Sequence, residues 1–184
     1  MKKALLSLFA VSVLAGCQSN NLTEANGNGA VLFPITIDYK SVFNYPCRSI
    51  SFELNNEEFS FNIDVDKQED LLGGYERHFG YGLISDIPPG DYLISEVHCY
   101  AHSGRVFNGS KSYITFRALL DFKIEPNTIT VDNSGIAGEA IQESDGTRSF
   151  DFSWSEQTDE FQSRAIELLR NTQENISDWS IVKE

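Results

Sequence analysis

The sequence predicts a mainly β protein, an antiparallel β-sandwich of about seven to nine strands with one α-helix packed on it towards the C-terminus. Three observations lead there. Apolar residues recur at every second position in short runs as far as residue 154. Turns rich in Gly, Pro and Asn separate these runs with no helical stretch between them, which suits two packed antiparallel sheets better than a parallel one. From residue 155 the apolar period becomes that of a helix.

The elements follow in order. Val31, Phe33, Ile35, Ile37 and Tyr39 mark a first strand, with Pro34 near its start as an entry or edge position allows. Ile50, Phe52 and Leu54 mark a second and Phe59, Phe61, Ile63 and Val65 a third, joined across Asn55-Asn56 as a hairpin. Residues 66–80 break the alternation with charges and Gly73-Gly74 and read as a loop. Residues 81–87 and 92–100 pair around Pro88-Pro89-Gly90-Asp91, where proline presets φ and glycine accepts a positive one. Further strands are expected at 113–124, at 128–131 after the Pro126-Asn127 turn, at 136–141 and at 149–154.

Phe161, Ala165, Leu168, Leu169, Thr172, Ile176 and Trp179 then recur at helical spacing, which predicts a helix from about Glu156 to Thr172. Ser153 and Glu156 have capping-box spacing. Glu156, Asp159 and Glu160 fall where the helix dipole favours anions, and Glu160 can pair with Arg164. The apolar stripe reads as core packing, the alternative being an exposed docking face.

The N-terminus has a different character. Met1-Lys2-Lys3 and the apolar run 4–14 are too short to span a bilayer and read as an export signal. Leu14-Ala15-Gly16-Cys17 resembles the lipobox of bacterial lipoproteins. That resemblance implies a signal peptide at residues 1–16, removed on maturation, and a Cys17 that carries a thioether-linked diacylglycerol and an N-acyl chain. The other reading is a plain secretory signal with a coincidental cysteine. Several acyl chains, at about 0.8 kcal/mol for each buried CH₂, hold a protein to a membrane durably. Gln18-Ser19 lacks the aspartate that retains enterobacterial lipoproteins at the inner membrane, so the resemblance implies delivery to the outer membrane. Residues 17–29, polar and rich in Asn and Gly, are expected to be the acylated cysteine and a flexible tether with a reach of about 20 Å. The sandwich is then expected over 30–154, with the helix and tail over 155–184 packed on it.

Removing residues 1–16 leaves 168 residues, enough for one domain with a substantial core. The chain carries 14 basic and 27 acidic side chains, a formal charge of −13, which becomes −15 once Lys2 and Lys3 are lost. Such a surface repels phosphate backbones and anionic headgroups, so neither nucleic acid nor electrostatic membrane docking is expected. A cationic partner or a divalent ion stays open. Cys47 and Cys99 are expected to form a disulfide in an oxidising envelope. Two buried thiols or a metal or redox site are the alternatives, the redox one weakened by the absence of Cys-x-x-Cys.

Ile87-Pro88-Pro89-Gly90-Asp91-Tyr92, followed by Phe122-Lys123-Ile124-Glu125-Pro126-Asn127-Thr128-Ile129, resembles small bacterial lipoproteins with a transthyretin-like (prealbumin-like) or carboxypeptidase-regulatory-like sandwich. The resemblance covers about residues 84–131 and implies a fold and an envelope setting, with no catalytic residues to transfer. Asn127 stands where glycine is commoner, and asparagine also accepts the left-handed region.

Candidate chemistry is sparse. His98, Cys99 and His102 offer zinc-ligand types, but on a strand Cys99 points away from both histidines, so no metal site is expected. Asp64, Asp66, Glu69 and Asp70 read as a solvated acidic loop, with weak calcium binding the alternative. No Gly-x-Ser-x-Gly elbow or phosphate-cradling loop is present. Tyr75, Phe79, Tyr81, Tyr100 and Phe107 sit around the loops at Gly73-Gly74 and Gly104, as a contact patch for an envelope protein or glycan or as loop anchors. The sequence therefore points to a non-catalytic, lipid-anchored outer-membrane protein that needs no cofactor and whose sandwich binds or spaces envelope partners. The alternatives are a component of a secretion or surface assembly and, last, a periplasm-facing enzyme.

Overall fold

Ala30 to Ile37 is an almost unbroken apolar run, and a strand with that composition must be covered on both of its faces. In the computed structural model, which describes residues 21–40, 45–105, 107 and 110–184, this run forms β1 (Gly29–Lys40), the central strand of the larger of two sheets. The remaining strands are β2 (Cys47–Leu54), β3 (Glu57–Asn62), β4 (Val65–Asp70), β5 (Glu76–Ile87), β6 (Gly90–Ala101), β7 (Tyr113–Ile124), β8 (Thr128–Val131), β9 (Ser134–Gln142), β10 (Arg148–Glu156) and β11 (Ser180–Lys183). One helix, α1 (Asp159–Thr172), lies between β10 and β11. Eleven strands among the described residues exceed the seven to nine expected, chiefly through β4 and β11.

The smaller sheet runs β3-β2-β6-β7 and is antiparallel throughout. The larger runs β10-β9-β1-β5-β4, with β8 beside β1 and β11 beside β8. It is mixed, because β1 pairs in parallel with both β8 and β9, and β8 in parallel with β11. The expectation of a wholly antiparallel sandwich is corrected here. Parallel partners are joined by long crossovers, and a period-two pattern is blind to strand direction.

Two cores result. Between the sheets, Phe33 is ringed by Phe52, Phe61, Phe122 and Trp154 at centroid distances of 6.0, 6.0, 5.9 and 5.0 Å. Gly82 of β5 makes room for this packing, since a Cβ there would lie 2.3 Å from the Phe61 ring. On the outer face, Ala30, Leu32, Leu83, Ile129 and Val131 meet Ala165, Ile166 and Leu169 of α1 together with Trp179. The protein is therefore three layers deep: sheet, sheet and helix.

Several sequence expectations change. Residues 66–80 hold strand as well as turn: β4 pairs with β5, and the turn between them closes with Leu71 N–H donating to Tyr75 O at 2.8 Å. Its charges misled the reading, yet an edge strand tolerates them, as in the Lys67–Glu76 pair at 2.7 Å. Pro34 sits mid-strand, in the gap where β1 passes from pairing with β8, which ends at Leu32, to pairing with β9, which starts at Ile35. The helix begins at Asp159 with Thr158 as its cap, accepting from Phe161 N–H at 3.3 Å, because Ser153 and Glu156 belong to β10. Its buried positions are Gln162, Ala165, Ile166 and Leu169, so Phe161 and Leu168 are only half-buried and Thr172 is exposed.

The segment expected as a tether over 17–29 is docked wherever it is described. Leu22 is buried, its N–H donates to Gln173 Oε1 at 2.7 Å, Trp179 Nε1–H donates to Thr23 O at 3.0 Å, and Gly27 N–H donates to Asn127 Oδ1 at 2.8 Å. Leu22 and Ala25 supply the apolar contacts in this polar stretch, and Asn26 and Asn28 donate hydrogen bonds to Asp86. The tail, expected to lie on the sandwich, enters it as β11.

Replacing Leu169 by alanine is expected to lower stability by about 2 to 5 kcal/mol in denaturant unfolding, whereas half-exposed Leu168→Ala should cost clearly less. Equal losses at the two positions would contradict the helix orientation described above.

Candidate functional site

The residues singled out from the sequence fall in separate places. Cys47 at the start of β2 and Cys99 in β6, both buried, are bonded to each other with Cα atoms 5.4 Å apart, tying two neighbouring strands of the smaller sheet. The five aromatics do not form one patch. Phe79 is buried and packs edge-on against Phe161 of α1 at 5.2 Å, so it holds the helix. Tyr81 accepts from Gln173 Nε2–H at 2.9 Å at the far end of the same helix. Tyr75 lies under the Lys40 ammonium at 5.1 Å, and Phe107 packs on Phe150 at 5.7 Å against the inter-sheet core. Tyr100 alone joins an outward-facing group, with Tyr113 at 5.3 Å and His98 a further 5.3 Å beyond it.

His98, His102, Glu69 and Asp70 are held by contacts within the fold. His98 Nδ1 meets Thr115 Oγ1 at 3.0 Å, and His102 Nε2 meets Tyr45 O at 2.9 Å. Glu69 pairs with Arg164 and Asp70 with Lys67. No group of three or more His, Cys, Asp or Glu among the described residues is placed to hold a metal ion. Cys17 lies outside the described residues.

A cavity of about 420 Å³ that the sequence reading missed opens where edge strand β7 passes β8 and the β8–β9 turn. Its walls include four carboxylates, Asp91, Asp121, Asp132 and Glu184, with the apolar flanks of Tyr92 and Phe122. Asp132 is only 2% exposed. Three elements hold it: its N–H donates to Leu32 O of β1 at 3.0 Å, its Oδ1 accepts from Ser134 N–H of β9 at 2.6 Å, and its carbonyl accepts from Gln162 Nε2–H of α1 at 3.2 Å. Its Oδ2 is buried and has no hydrogen-bond partner. Glu184 is fixed by its own N–H to Val131 O at 3.1 Å and by accepting from Lys123 N–H at 3.1 Å. The lining contains one cation, Lys123, whose ammonium is taken by Glu125 at 2.8 Å.

Burial pushes the Asp132 carboxyl up to about 7, and the nearby charges of Glu184 and Asp121 push the same way, against the lowering effect of the Ser134 hydrogen bonds. Nothing in the local sequence Val131-Asp132-Asn133-Ser134 announces this; Asp132 reads there as an ordinary turn residue. A second cavity, of about 260 Å³, lies against the C-terminal part of α1, with Phe79, Tyr81, Asp64 and Asp66 in its lining.

No protein-family model matches the chain, and no curated protein matches it. A solved structure, a leucine-rich repeat protein from Bacteroides thetaiotaomicron VPI-5482, is similar at 16% identity with a TM-score of 0.29, over 57% of this chain and 13% of that one. A likeness of that degree carries no argument about fold or function.

Two outcomes are expected. The folded state holds its Asp132 proton up to about pH 7, while the unfolded chain releases it near 4, so this carboxyl's stabilising effect is complete below about pH 4 and is lost as pH rises to 7. Asp132→Asn should remove that downward slope and stabilise the protein above pH 7, as read by unfolding at a series of pH values; an unaltered slope would count against it. Cys47→Ser should lower stability by about 2 to 5 kcal/mol under oxidising conditions and leave a reduced sample little changed.

Proposed function

We propose that the chain is a non-catalytic envelope protein, anchored in the outer membrane through an acylated Cys17, whose sandwich binds or spaces envelope partners. The observation that carries this reading is the buried Cys47–Cys99 disulfide, because such bonds persist in oxidising compartments, the destination that the export signal and the lipobox-like Leu14-Ala15-Gly16-Cys17 imply. The acidic surface fits an anchor of lipid rather than of charge, since anionic headgroups would repel it.

The docked N-terminal segment sharpens the proposal. With Leu22 buried against the end of α1, only five residue steps separate Cys17 from the domain, a reach of at most about 18 Å. The C-terminal end of α1, around Gln173 and Trp179, then lies nearest the lipid, and the opposite end of the sandwich is presented to partners. This arrangement is closer and more oriented than a free tether of residues 17–29 would give.

In cells supplied with an alkyne-tagged palmitate, Cys17→Ser is expected to abolish labelling and leave an uncleaved or soluble product. Lipid labelling as strong as in the parent chain would sink the anchoring proposal.

A further inference from the structure

We propose that the cavity between β7, β8 and the β8–β9 turn is a binding site for an alkylammonium group, with Asp132 at its base and Asp121 and Glu184 at its walls. The inference does not depend on the lipid anchor. It rests on an imbalance of hydrogen-bonding groups. Asp132 Oδ2 is buried, accepts nothing, and belongs to a residue only 2% exposed, while the same carboxylate's Oδ1 and both backbone groups are engaged by β9, β1 and α1. A buried acceptor left unpaired costs free energy that a donor entering the cavity would recover. The backbone holds the residue in place at the cavity wall, so a small shift of the carboxylate is all that is needed to receive that donor.

The chemistry of the donor follows from the walls. Four carboxylates face a cavity whose lone ammonium, that of Lys123, is occupied by Glu125 outside the lining, so the field at its centre favours a cation. A bare metal ion is disfavoured, because no three acidic side chains among the described residues are grouped for coordination. An ammonium on an alkyl chain fits better: its N–H groups need only Asp132 as a direct partner, Asp121 and Glu184 add negative charge at the walls, and its methylenes lie along exposed Leu119. A volume of about 420 Å³ holds one such chain. The ammonium can belong to a free diamine or to a lysine side chain of a partner.

Titration calorimetry on the full chain in detergent at pH 8, with 1,5-diaminopentane in one arm and the peptide Gly-Lys-Gly in another, tests this. Binding is expected in at least one arm, and the arm that binds more tightly assigns the source. Asp132→Asn and, separately, exposed Asp121→Asn should each weaken that binding about tenfold or more. Asp145→Asn, which removes an equal charge from the exposed β9–β10 turn, should leave it unchanged. The Asp121 variant keeps the test decisive if the Asp132 variant folds poorly. No heat of binding in either arm overturns the proposal, and so does binding that Asp145→Asn weakens as much as Asp121→Asn, since that would be unspecific attraction to an acidic surface.

Discussion

The structure depends on one strand being buried from both sides. Val31, Phe33, Ile35 and Ile37 of β1 point into the space between the sheets, and Ala30 and Leu32 point outwards under α1. An ordinary sandwich strand needs one covered face; β1 needs two, and exposing the second would put Leu32, Leu83, Ile129 and Val131 in water. At about 25 cal/mol per Å² of apolar surface, that face is a large share of a typical domain's stability of about 5 to 15 kcal/mol. The helix, Trp179 and Leu22 are where they are because this surface has to be covered. The three-layer architecture follows from the composition of residues 30–37.

The same constraint builds the acidic cavity. β8 pairs with β1 only as far as Leu32↔Val131, and the next residue, Asp132, is drawn beneath the helix by its bond to Leu32 O and by Gln162. A turn residue that would otherwise be solvated is buried there, with one carboxylate oxygen satisfied and one not. The elevated pKa and the unpaired Oδ2 are two consequences of that placement. They arise at a junction of elements far apart in the chain: the end of β7, the β8–β9 turn and Glu184 after β11.

What the sequence disclosed and what it concealed divide along this line. Alternation in residues 50–65 and the Asn55-Asn56 turn, whose residues have φ of 53 and 66, were readable because a hairpin is local. The change of period after residue 154 was readable for the same reason, although the helix starts three residues later than expected and Gln162 and Ile166, rather than Phe161 and Leu168, share the buried face with Ala165 and Leu169. β4 was hidden because an edge strand can be mostly charged, and β11 because four residues of tail carry no period. The parallel pairings of β1 were invisible, since direction depends on the path of the chain between partners. Charge and glycine nearby make Phe79, Tyr81 and Tyr100 look like loop residues, yet all three lie on strands, Phe79 and Tyr81 anchor α1, and Phe107 packs on the core. The cavity carboxylates were beyond reach: Asp132 is buried through Leu32 and Gln162, residues 100 and 30 positions away, and lies near the charges of Glu184 and Asp121, which belong to other parts of the chain.

The central claim, that doubly buried β1 is the part on which the rest depends, is tested most directly by native-state amide hydrogen exchange resolved by residue. The account predicts that the hydrogen-bonded amides between Val31 and Ile37 exchange last, with a free energy equal to that of global unfolding, and that β4 and β10 at the sheet edges open earlier. Exchange of the β1 amides together with or ahead of those edge strands, while the smaller sheet stays protected, would contradict it.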